Sequence, residues 1–88
     1  MAEHKHMPDF LDRLARVEGH IRGVRRMAEE GRPCEDVLLQ IAAVRAALDQ
    51  AGRILLEDHL ESCVLEGIEK GDAAATVDRL KAALSKLI

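Results

Sequence analysis

Aromatic residues are almost missing from this chain. Phe10 is the only one among 88 residues, with no Trp and no Tyr. Sheets draw heavily on aromatic and β-branched side chains, and base-stacking surfaces need exposed rings. A β-sandwich, a compact α/β enzyme and an aromatic nucleic-acid platform are therefore disfavoured. Proline is limited to Pro8 and Pro33, which leaves long stretches without a helix breaker. Cysteine is limited to Cys34 and Cys63, too few for a disulfide scaffold. Reduced thiols in a cytoplasmic protein are the expectation. No apolar run is long enough to cross a bilayer, and no signal-peptide core is present, so no membrane partner is expected. A Gly-rich phosphate loop and a Ser-His-Asp grouping are also missing, and the chain is not expected to be an enzyme.

What remains is aliphatic and charged. Hydrophobic residues make up 48%, mostly Ala, Leu, Val and Ile, and 33% are Asp, Glu, Lys or Arg. That mixture belongs to amphipathic helices. A core this small and aliphatic is marginal alone, so oligomerisation is expected. The formal charge of −3 does not mark a basic nucleic-acid binder as a whole. The distribution is uneven, though. Arg13, Arg16, Arg22, Arg25 and Arg26 crowd the first third, opposed within that stretch only by Glu18. A local excess of this kind can attract phosphates in an acidic protein.

Three helices are legible. Residues 1–8 lack periodicity and are expected to form a flexible N-terminal tail, leaving 9–88 as a single all-α domain. Pro8 suits a first helical turn. From there Leu14, Val17, Ile21, Val24 and Ala28 recur every three or four residues, until Gly31-Arg32-Pro33 imposes a turn. Gly19 and Gly23 share a face, which suggests close approach of another backbone. Val37, Ile41, Val44, Leu48, Ala51 and Leu55 keep the same rhythm along a second, uninterrupted segment. It reads as one helix from about Cys34 to about Glu66, roughly 50 Å long. So long a rod needs a second copy of the chain to cover it. Gly71 closes this element, Asp72 suits an N-cap, and Val77, Leu80, Leu84 and Leu87 mark a short third helix.

His59 and Cys63 are the sharpest local signal. At i and i+4 they leave one helix face a turn apart, so both can reach one metal ion. An isolated H-x-x-x-C is more often a buried Cys beside a half-exposed His. Cys34 changes the balance, because a soft site wants a further thiolate. It stands 25 residues before His59, roughly 38 Å along a straight helix, and cannot join the site of its own chain. In an antiparallel pair of long helices, Cys34 of one protomer meets His59 and Cys63 of the other. Two equivalent intersubunit sites follow. Two sulfurs and one imidazole suit Cu(I) in a trigonal site better than four-coordinate Zn(II). Donors from His4 and His6 would shift the preference toward nickel, cobalt or zinc. His20, among arginines, reads as a surface or polar-contact residue.

The motifs R-V-E-G-H-I-R-G-V-R-R-M, E-E-G-R-P-C, D-V-L-L-Q-I-A-A-V-R-A-A-L and H-L-E-S-C run in that order. Together they resemble the CsoR/RcnR family of bacterial transcriptional repressors, over about Asp12 to Leu87. The resemblance implies an antiparallel dimer with a four-helix core, a dimer of dimers, and operator DNA binding without a helix-turn-helix. It implies Cu(I) held by Cys34 of one subunit and His59 and Cys63 of the other, with release of DNA on metal binding. Nickel/cobalt sensors have His where Cys63 stands, formaldehyde sensors lack the second Cys, and persulfide sensors lack the His. This chain has all three donors. It departs from the usual copper pattern at Pro33, where Tyr is common, at Arg79, where Glu is common, and at Gln50, where Arg is common. Arg13, Arg16, Arg45 and Arg53 are the candidate phosphate contacts. A persulfide- or thiol-sensing repressor, joining Cys34 to the partner Cys63 through sulfur, is the alternative within the family. A small metal-buffering protein is the alternative outside it.

Overall fold

The computed structural model describes residues 5–87 and contains three helices. α1 spans Met7–Glu29, α2 spans Cys34–Lys70 and α3 spans Ala73–Leu87. Among the described residues there is no strand. No helix is long and apolar enough to cross a membrane.

Local chemistry sets each boundary. Pro8 sits in the first turn of α1, where its missing N–H costs nothing, and Asp9 follows with a favourable charge. The expected tail boundary at residue 8 falls inside this helix. His6 is its N-cap residue, and its carbonyl accepts from the Phe10 amide at 2.9 Å. Gly31 then takes φ 73°, a conformation open to glycine at little steric cost, and the chain turns. The Arg32 amide donates to the Met27 carbonyl at 3.0 Å and closes the helix end. Pro33, at φ −54° and ψ 140°, precedes α2. That helix runs one turn past the expected end near Glu66, to Lys70, because the left-handed stop is Gly71 at φ 64°. Asp72 caps α3 as expected, its carboxylate accepting from the Ala75 amide at 3.1 Å.

Both short helices fold back along α2. His6 lies by Asp58 while His20 reaches Gln40, so α1 is antiparallel to α2. Gly67 lies under Thr76 and Gly52 under Leu87, so α3 is antiparallel on another side of α2. A Cβ at Gly67 would collide with the Thr76 side chain, which is why α3 can dock so closely there. Among the described residues the Gly19–Gly23 face meets no backbone of another helix: only an Arg22 nitrogen approaches a Cβ position at Gly19, and nothing lies within 4 Å of that at Gly23.

The resulting body measures 58 × 23 × 13 Å. It exposes 6690 Å², where a compact monomer of 9.7 kDa would expose about 5100 Å². Only Val17, Ala51 and Cys63 are buried among the described hydrophobic residues. Leu38, Leu39, Ile41 and Leu48 lie open on α2, with Leu39 at 68% exposure.

Candidate metal centre

His59 and Cys63 meet at the α2–α3 side of the long helix. His59 Nε2 stands 3.4 Å from Cys63 Sγ. Two donors bound to one ion at about 2.0 and 2.3 Å, at a trigonal or tetrahedral angle, are about 3.5–3.7 Å apart. The pair is therefore set for a shared ion with almost no rearrangement. His59 also lines an open apolar groove of about 210 Å³ with Gly52, Leu55, Leu56, Ala83 and Leu87. Cys63 is completely buried, and its imidazole neighbour is the more accessible of the two.

Arg79 comes from α3 to the same end of α2. Its guanidinium donates to Glu66 at 3.0 Å. That hydrogen bond, with the nearby Cys63 sulfur and the Glu66 charge adding to it, holds the Arg79 guanidinium above its ordinary range. The position where the resembled family commonly has a carboxylate thus carries a cation, placed beside the buried sulfur.

Cys34 is the first residue of α2 and is exposed. It borders an open hollow with Ala28, Arg32, Val37 and Leu38. α2 is continuous from Cys34 through Cys63, so 29 residues put the two thiols roughly 44 Å apart. The chain brings two of the three expected donors together and keeps the third at its far end.

The arginines divide into two groups. Arg13 and Arg16 flank a shallow pocket with His20, Ala47 and Gln50, where α1 lies on α2. His20 Nε2 is 2.8 Å from the Gln40 side-chain oxygen, a polar contact between helices. Arg45 lines a separate open hollow with Asp49, and Arg53 pairs with that same Asp49 at 3.4 Å. Arg13 pairs with Asp9 at 3.3 Å. These are exposed i,i+4 pairs, weak enough to exchange for another anion.

One cluster went unread in the sequence. His6, Asp58 and Glu61 place a ligand atom each within 4.8 Å of one another. Asp58 and Glu61 share a helix face at i,i+3, but nothing local says that residue 6 comes to meet them from 52 positions away. His4, the other histidine of that segment, lies outside the described residues.

Comparison with known proteins places this geometry. The metal-sensitive transcriptional repressor family model matches residues 6–86. The copper-sensing transcriptional repressor CsoR of Bacillus subtilis is 41% identical over 76 residues, covering 86% of this chain and 75% of that protein. The copper-sensing repressor RicR of Mycobacterium tuberculosis is 40% identical over 82 residues, covering 91% and 85%. Among solved structures, the nickel-responsive regulator InrS superposes with a TM-score of 0.87 at 40% identity, over 100% of this chain and 99% of that one. The Cu(I)-bound copper-sensing repressor CsoR of Geobacillus thermodenitrificans superposes with a TM-score of 0.82 at 36% identity, over 98% and 90%.

Proposed function

This chain belongs to the metal-sensitive transcriptional repressor family, whose members are regulators and not enzymes, and from that premise we propose that its inducer is Cu(I). The ligands are Cys34 of one subunit and His59 and Cys63 of the partner. The repressor holds operator DNA in the metal-free state and leaves it on binding copper. The observation that carries this reading is the donor set: His59 and Cys63 stand 3.4 Å apart, and a continuous helix keeps the remaining thiol out of reach of its own chain's pair. Two thiolates and one imidazole are soft donors, and Cu(I) favours such a set at low coordination number.

The oligomer in this proposal is an antiparallel dimer that pairs into a tetramer. The open aliphatic face of α2 and the excess exposed area support it. Arg13, Arg16, Arg45 and Arg53 hold the DNA phosphates, with Arg13 and Arg53 first giving up Asp9 and Asp49. The allosteric step follows from burial. The donor spacing already suits an ion, but Cys63 has no accessible surface, so the ion and its third donor reach the pair only after the side chains over the sulfur shift. Metal then binds the shifted state more tightly than the DNA-holding state, which is the differential affinity that coupling requires.

Operator fragments selected from a random duplex library provide the test, titrated anaerobically. Cu(I) is expected to release the unmutated protein, whereas Ni(II), suggested by the likeness to a nickel-responsive regulator, is not. His59→Ala is expected to bind the same DNA and to retain some copper on its thiolates, without release. Full copper-driven release by His59→Ala, or release by Ni(II) alone, overturns the proposal. If polysulfide releases that variant while Cu(I) leaves even the unmutated protein bound, the thiol-sensing alternative takes its place.

A further inference from the structure

We infer that the His6–Asp58–Glu61 cluster is a second metal site, distinct from the His59–Cys63 pair and selective for a divalent cation with a preference for nitrogen and oxygen donors. The two sets of donors occupy the same two turns of α2 but leave it on different sides. His59 faces the groove against α3, and Asp58 turns toward the start of α1. Glu61 and Ser62 follow Asp58 at i+3 and i+4 and share its face.

The cluster is built around a buried charge. Asp58 is 1% exposed, and its carboxylate accepts from the His6 amide at 3.4 Å. His6 Nε2 stands 3.6 Å from Glu61 Oε2. Donors on a tetrahedral ion with bonds of about 2.1 Å are about 3.4 Å apart, so the His6–Glu61 pair needs only slight contraction, while the pairs with Asp58 close from within 4.8 Å. Ser62 supplies an independent sign. It is 7% exposed, and one turn beyond Asp58 its hydroxyl has no hydrogen-bond partner among the described residues. A water on a bound ion would give that hydroxyl a partner. Two carboxylates balance the charge of a divalent ion and offer no sulfur, which disfavours Cu(I). Among the described residues, Lys5 places its Nζ 3.7 Å from Glu61 Oε1. It is largely exposed and is displaced when the metal enters. Occupancy fastens the start of α1 to the turns of α2 that carry His59 and Cys63.

Co²⁺ is the probe, because its spectrum reports its donors. Added to the full chain, it is expected to give visible d–d bands without a thiolate charge-transfer band, at one ion per chain. Those bands persist in Cys34→Ser/Cys63→Ser. Exposed-residue variants His6→Gln and Glu61→Gln, safe for folding, each weaken Co²⁺ at least tenfold. With both cysteines intact, Glu61→Gln removes the d–d set while leaving any thiolate band in place, so the result stands even if the double Cys variant fails to fold. Unchanged affinity in both His6→Gln and Glu61→Gln, or Co²⁺ bound only with a thiolate band, overturns the site and leaves the cluster a salt-bridged clasp. Neither result depends on whether copper is the inducer.

Discussion

Neighbouring residues on a helix point about 100° apart, and at Asp58 and His59 this separates two chemistries that the sequence runs together. His59 belongs to the groove beneath α3 and Asp58 to the contact with α1. The same rule sorts the arginines. Arg13 and Arg16 border the α1–α2 pocket, while on the open side of α2 Arg53 pairs with Asp49 and Arg45 lines a hollow beside it. Each i,i+4 pairing is worth little in water. Exchange of Asp9 or Asp49 for a phosphate therefore costs little and is repaid by counterion release. Arg13→Ala and Arg53→Ala are expected to weaken operator binding across all sequences. Each should lower the slope of log affinity against log salt by about 0.9 for every phosphate that is no longer neutralised. Copper binding stays nearly unchanged. Equal salt slopes in the double variant and the unmutated protein would take both residues out of the interface. Asp49→Asn tests the pairing from the other side: it frees Arg53 and should tighten DNA binding.

Between elements, the decisive residue is Gly67. Inside a helix glycine costs about 1 kcal/mol relative to alanine, so its presence in α2 calls for a reason. The reason is Thr76, which occupies the space a Cβ would need. Gly67→Ala gains that propensity but overpacks the α2–α3 contact, at a cost of about 1–3 kcal/mol. The expected result is a lower melting temperature. Thr76→Ala in the same chain should restore it, since the colliding hydroxyl and methyl are gone. Melting of Gly67→Ala at or above the parent temperature would mean that α3 docks elsewhere in solution. This contact also marks the limit of reading from sequence. Pro8, Gly31, Gly71 and Asp72 act within a few residues of themselves, and so the three helices and their turns were legible. His59 and Cys63 were legible for the same reason, being one turn apart. Gly67 with Thr76, Arg79 with Glu66 and His6 with Asp58 depend on how helices fold back, which periodicity does not encode. Gly19 and Gly23 show the converse, a local pattern suggesting a backbone contact that is not made among the described residues.

For the whole molecule, one continuous helix sets the function's arithmetic. α2 keeps Cys34 roughly 44 Å from Cys63, farther than any side chain reaches. A single chain brings together two of the three proposed donors, and the proposed antiparallel dimer would complete two sets. Subunits with complementary lesions decide whether that is how the site is made. Cys34→Ala chains retain His59 and Cys63, and His59→Ala/Cys63→Ala chains retain Cys34. Homodimers of either kind lack a complete set and should hold Cu(I) weakly. Mixing the two and re-equilibrating gives heterodimers in which one site loses all three donors and the other keeps all three. The proposal predicts one tight Cu(I) per heterodimer, half the stoichiometry of the unmutated dimer, with three-donor affinity. A site contained within one chain predicts no recovery at any mixing ratio, because neither subunit carries Cys34, His59 and Cys63 together. Tight binding by the unmutated protein without recovery in verified heterodimers would therefore rule out the shared site, and with it the antiparallel pairing of α2 on which the repressor model depends.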